Sequence, residues 1–94
     1  MSTYIMMGKY SEKAYEGISS ARTQKALEIA KKLNGEIKSI HVLLGEYDVH
    51  IIAVFPSMKE AISASIALQK LTGISFTTSE AMTAEEFDSF IPSF

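Results

Sequence analysis

Apolar and polar positions change period several times along this chain, and each change marks an element. Residues Thr3 to Tyr10 are rich in β-prone side chains and end at Ser11, whose hydroxyl is placed to cap a helical turn beginning at Glu12. From there to Leu33 the period is helical: Ile18, Ala21, Ala26, Ile29, Ala30 and Leu33 form one apolar stripe, Lys31 and Lys32 occupy the last turn, and Asn34-Gly35 stops it. Gly17 and Ser19-Ser20 divide that stretch into a short lead-in and a main helix.

Two β-rich runs follow, 36–44 and 49–55, and the intervening Gly45-Glu46-Tyr47-Asp48 makes them an antiparallel hairpin. Ser57 and Glu60 stand at capping-box spacing before Ala61, Ile62, Ile66, Leu68 and Leu71, and Thr72-Gly73 closes this second helix. Ile74, Phe76 and Thr78 then alternate with Ser75, Thr77 and Ser79, the period of a half-buried strand. A second capping box, Thr83 with Glu86, opens a short terminal helix in which Met82 and Phe87 are spaced as a hydrophobic staple. The order βαββαβ plus a terminal helix predicts one α+β domain over residues 1–94, ferredoxin-like, with an antiparallel sheet of order 4-1-3-2 and two helices on one face.

Alternation also predicts what each face of the hairpin carries. Ile40, Val42 and Leu44 on one strand and Val49, Ile51, Ala53 and Phe55 on the other are wholly apolar sets, so both belong under the helices. An even-numbered loop, pairing Leu44 with Val49 or an equivalent register, puts them there together; a one-residue slip would separate them. The opposite face then holds Ser39, His41, Leu43, His50, Ile52 and Val54, with the two histidines of the chain on adjacent strands, diagonal to each other. Such a face is too apolar for water and too polar for a dry core, and it suits a second subunit enclosing a partly polar lumen.

Composition supports association and removes several function classes. A 94-residue chain with 47% hydrophobic residues buries one modest core, and its mean hydropathy of +0.12 leaves apolar surface for a partner. A net charge of −2 with no basic cluster beyond Lys31-Lys32 gives no footprint for nucleic acid. The absence of cysteine excludes disulfides, thiolate catalysis and cysteine metal sites, and suits the cytoplasm. Tyr4-Ile5-Met6-Met7 is too short and badly flanked for a signal peptide, and no apolar run spans a membrane. Met6-Met7 with Phe87, Phe90, Ile91 and Phe94 read most simply as core and tail-docking residues.

The chemistry-bearing residues are few. His41 and His50 are candidates for ligand binding or acid–base work, since imidazole titrates near neutrality; the plain alternative is a hydrogen-bonded interface histidine. Asp48 and Glu46 lie near them, yet no metal-ligand spacing is present, so no metal or cofactor is expected. In the hairpin, Gly45 suits a positive φ and Asp48 suits acceptance of backbone hydrogen bonds, but Glu46-Tyr47 is not the pair a tight type I′ turn favours. Tyr47 and Asp48 are therefore also candidates for contact with a ligand or partner chain. Tyr10, at the end of the first strand, is placed to offer a phenol at a pocket mouth, or simply to pack at a rim.

Tyr4 to Tyr10, Arg22 at the start of the main helix, Lys32-Leu33-Asn34-Gly35, and above all Gly45-Glu46-Tyr47-Asp48 before an apolar strand ending at Pro56 make the chain resemble the GYD-domain family, with Glu85-Glu86-Phe87 as further support. The resemblance implies a ferredoxin-like fold akin to dimeric α+β barrels and no established activity. It also marks Arg22 as a position whose guanidinium could clamp a carboxylate or pair with Glu46 or Asp48, against the plain reading of a solvated helix residue.

Three functions fit: a homo-oligomeric small-molecule-binding domain, a cofactor-independent oxygenase or isomerase with a histidine base, and a structural or regulatory assembly domain. RNA-binding domains share the element order, but Val49-His50-Ile51-Ile52-Ala53-Val54-Phe55 lacks their basic-glycine-aromatic signature. Heavy-metal chaperones of this topology need cysteines that are missing here.

Overall fold

The computed structural model describes residues 1–92. Its elements are β1 (Ser2–Tyr10), α1 (Glu12–Glu16), α2 (Ser20–Lys32), β2 (Glu36–Val42), β3 (Val49–Phe55), α3 (Met58–Thr72), β4 (Ile74–Ala81) and α4 (Ala84–Phe90). The strands form one antiparallel sheet in the order β2-β3-β1-β4, which is the expected 4-1-3-2 order read from the other edge. The shortest dimension of the molecule is 18 Å, the depth of one helix layer on one sheet.

Local chemistry accounts for the boundaries. Ser11 caps α1 by accepting from the Ala14 N–H at 3.1 Å, and Ser19 caps α2 through the Arg22 N–H at 3.0 Å, which fixes the predicted division between lead-in and main helix. After α2, Asn34 takes the left-handed conformation (φ 61°), and a Cβ on Gly35 would lie 2.4 Å from the Phe55 ring and the Val54 carbonyl oxygen, so glycine alone fits there. Gly73 ends α3 at φ 80°, as its place after the helical period predicts. The Ser57 cap takes another form than the predicted box, because its hydroxyl donates to the Glu60 carboxylate instead of accepting from the helix.

The core lies between the helices and the face of the sheet carrying Tyr4, Met6, Val49, Ile51, Ala53, Phe55 and Ile74. All four β3 residues assigned to the helix side are buried there. Small residues on the facing stripes, Ala26 and Ala30 of α2 and Ala61 and Ala64 of α3, let the helices approach closely enough to enclose Tyr4 and Phe55, whose rings meet at 6.1 Å. A hydroxyl pair, Ser65 with Thr78 at 2.6 Å, ties α3 to β4.

Several expectations change. β2 ends at Val42, so Leu44 lies in the loop and is 84% exposed instead of beneath the helices. Val42 pairs with Val49, which keeps the required parity but moves the register by two residues. A bulge between Ile37 and Ser39 then brings both Ile37 and Ile40, three apart in sequence, against the core. Phe87 and Phe90 are not core: their rings meet edge-to-face at 5.8 Å, no residue of α4 is buried, and α4 has no more than fringe contact with other elements. The Phe94 assignment lies outside the described residues.

Candidate functional site

The registers arrange the helix-free face in rows that cross all four strands. One row reads His41, His50, Met7, Thr77; the next reads Ser39, Ile52, Ile5, Ser79; a third carries Val54, Thr3 and Ala81. His41 and His50 are therefore directly opposite each other instead of diagonal, because the loop is Leu43–Asp48 and the strand pairing begins at Val42 with Val49. His41 is exposed, whereas His50, Met7, Ile5, Ile52 and Val54 are half-buried by their neighbours alone. Among the described residues no three histidine or carboxylate side chains gather as a metal site would need. Leu43, expected on this face, belongs to the loop.

Asp48 is buried and fully engaged. Its N–H donates to the Gly8 carbonyl at 2.8 Å, its carboxylate accepts from the Tyr10 N–H at 2.9 Å, and its carbonyl accepts from the Leu43 N–H at 2.9 Å. The side chain thus extends the β3–β1 ladder beyond the last strand pair and holds the loop onto β1, with Lys9 Nζ at 3.9 Å as a weak, exposed ion partner. Tyr47 beside it is half-buried, and Gly45 does not take the positive φ its type suggested.

Tyr10 and Arg22 lie on the other side of the sheet. Parity places Tyr10 in the set Tyr4, Met6, Gly8, Tyr10, which faces the helices. Arg22 Nη1 donates to the Ala14 carbonyl at 2.7 Å and its guanidinium sits 5.9 Å from the centre of the Tyr10 ring, which itself packs on Tyr15 at 5.0 Å. It pairs with neither Glu46 nor Asp48; the ion pairs among the described residues are Lys9–Asp48 and Lys38–Glu36.

Between these helices and the sheet is a cavity of about 60 Å³ bounded by Tyr10, Arg22, Ala26, Ile51, Leu68 and Phe76, among others. The six candidates therefore form three groups: a histidine pair on the open face, a hairpin tie at Asp48 with Tyr47 beside it in sequence, and the cavity edge at Tyr10 and Arg22. Sequence reasoning did not single out Lys13 and Lys25, which stand outside that edge, and only the three-dimensional approach of α1 to α2 could have shown them. Tyr4 was also missed: its hydroxyl reaches Glu80 at 3.4 Å, and burial, seconded by the Glu80 charge, pushes the phenol above its usual range. No helix among the described residues is long and apolar enough to cross a membrane.

The profile of the GYD domain matches residues 4–91, nearly the whole chain. No curated protein shows significant similarity to it.

Proposed function

The chain belongs to the GYD domain family, and we propose that it is the subunit of a homo-oligomeric small-molecule-binding domain, two sheets packing by their helix-free faces in the manner of a dimeric α+β barrel. The observation that carries this reading is the row structure of that face: an apolar centre of Ile5, Met7, Ile52 and Val54 beside the facing histidine pair, on a sheet whose other face is already covered by helices. Covering this centre contributes about 25 cal/mol per Å² removed from water, while the imidazoles need hydrogen-bond partners or trapped water to avoid a desolvation cost. Residence in the cytoplasm, which the cysteine-free sequence suits, belongs to the same reading.

Sedimentation equilibrium at micromolar concentration tests it: the wild type should be a dimer or a multiple of one. Ile52→Asp should dissociate it with the far-UV spectrum retained, and Lys70→Asp, on the outer side of α3, should not. A monomeric wild type would remove the reading.

The direct opposition of His41 and His50 favours one second reading, an oxygenase or isomerase that uses one imidazole as base and the other to orient the substrate. Turnover lost on His50→Gln would select it over a pure binding domain.

A further inference from the structure

We propose that the concavity around Arg22, on the helix side of the sheet, binds a small amphiphilic carboxylate, its anionic head outside the guanidinium and its short apolar tail in the inner cavity. This takes from the preceding reading only that the chain binds a small molecule, and it places that molecule away from the histidine face.

Two concavities meet at this point. The inner one, about 60 Å³, has walls from Ala26, Ile51, Leu68 and Phe76. The outer one is an open groove of about 400 Å³ bordered by Lys13, Arg22 and Lys25 against the single carboxylate of Glu16. Both include Arg22 and Thr72, so they abut there. An apolar chamber beside three cations and one anion is complementary to a molecule with a hydrocarbon end and a negative end.

The hydrogen-bonding inventory at the junction identifies the head group. Thr72 is committed on both sides, donating to the Leu68 carbonyl at 2.7 Å and accepting from the Ile74 N–H at 3.0 Å. Thr23 donates to the Ser19 carbonyl at 3.3 Å. Arg22 lines both concavities, and the bond to Ala14 occupies only Nη1 of a group with five N–H donors. A fork of donors flanked by Lys13 and Lys25, with Glu16 as the one carboxylate beside them, favours a carboxylate over a neutral amide or alcohol.

The inner volume sets the tail. A water needs roughly 10–15 Å³ measured in this way, so the chamber takes on the order of four atoms of water size, a chain of about four carbons. A longer or aromatic tail exceeds this volume and would lie partly in the outer groove, away from the apolar walls.

The test uses the full chain and three probes, pentanoate, pentanamide and acetate, followed by calorimetry and by amide chemical-shift mapping. Pentanoate should bind and shift the resonances of Tyr10, Arg22, Ala26 and Ile74. Pentanamide, which keeps the tail, and acetate, which keeps the head, should each bind at least about tenfold more weakly. Arg22→Gln should lose about tenfold for pentanoate and nothing for pentanamide; Ala26→Leu, which fills the chamber, should weaken both, and Ala26→Val serves if the leucine variant does not fold. Equal binding of pentanoate and pentanamide, or no binding of any probe, would overturn the proposal. Shifts confined to the row of His41 and His50 would overturn the location while leaving the small-molecule reading intact.

Discussion

Replacing Asp48 with alanine would strip the acceptor from the Tyr10 N–H, remove the weak ion pair with Lys9, and loosen the loop from β1. An unsatisfied, partly buried donor costs about 1–3 kcal/mol, so Asp48→Ala should lower the stability measured by urea denaturation by about 2 kcal/mol. Asp48→Asn retains a carbonyl oxygen as acceptor and should lose less than half of that. The aspartate at the end of the Gly-Glu-Tyr-Asp run is thereby explained by backbone satisfaction across 38 positions of sequence. Its capacity to accept backbone hydrogen bonds was legible from residue type, but the donor was not, because a contact of that range leaves no local signature. Tyr10 and Arg22 show the same limit: the alternation of Tyr4, Met6, Gly8 and Tyr10 was enough to place the phenol on the helix side, whereas the Ala14 carbonyl that receives Arg22 could be found only in three dimensions.

Among the elements, the two N-termini built on Ser57 and Thr83 behave differently. At α3 the Ser57 hydroxyl is the chief cause holding the Glu60 carboxyl below its usual range, opposed by burial and helped by neighbouring backbone N–H groups. A carboxyl with a depressed folded-state pKa stabilises the fold above its unfolded pKa, and that contribution is lost as pH falls through the folded value. Carboxyl carbon NMR should therefore show Glu60 titrating below the ordinary glutamate value, and Ser57→Ala should move it back up. At α4 the Thr83 hydroxyl accepts from the Glu86 N–H at 3.1 Å, as the capping box predicts. Because α4 packs on almost nothing, Thr83→Ala should reduce the local opening free energy in amide exchange by about 1 kcal/mol while the global denaturation midpoint stays put. The existence and type of every element were readable from period and caps; the end of β2 was not. Leu43 and Leu44 continue the apolar pattern into the loop, where the Leu43 N–H donates to the Asp48 carbonyl just beyond the last strand pair, so the loop is two residues longer than the pattern predicts.

For the whole molecule, the sheet order followed from the element order, and the burial of one β3 face followed from alternation, because both rest on rules that do not need the loop geometry. What covers the second face was not settled in the same way, since a face of mixed apolar and imidazole character has no single partner dictated by its composition. Under the proposed assembly, folding and association are linked by mass action, so the wild-type melting temperature should rise with protein concentration. The Ile52→Asp variant should melt at a temperature independent of concentration. Differential scanning calorimetry over a hundredfold dilution series would measure both slopes.

The bulge at Lys38 has a further consequence for how copies of this chain can meet. β2 is an outer strand, and its free backbone groups could template a strand from another molecule and propagate an endless ribbon. At the bulge the ladder loses its regular spacing, and exposed Glu36 and Lys38, paired at 3.2 Å, would have to surrender water to any incoming strand. The opposite border, β4, presents Ser75, Thr77, Ser79 and Glu80 to solvent, with no apolar run to nucleate stacking. Open-ended polymerisation through the borders is thereby penalised at both sides of the sheet, which opposes fibre growth in a chain rich in β-prone apolar residues.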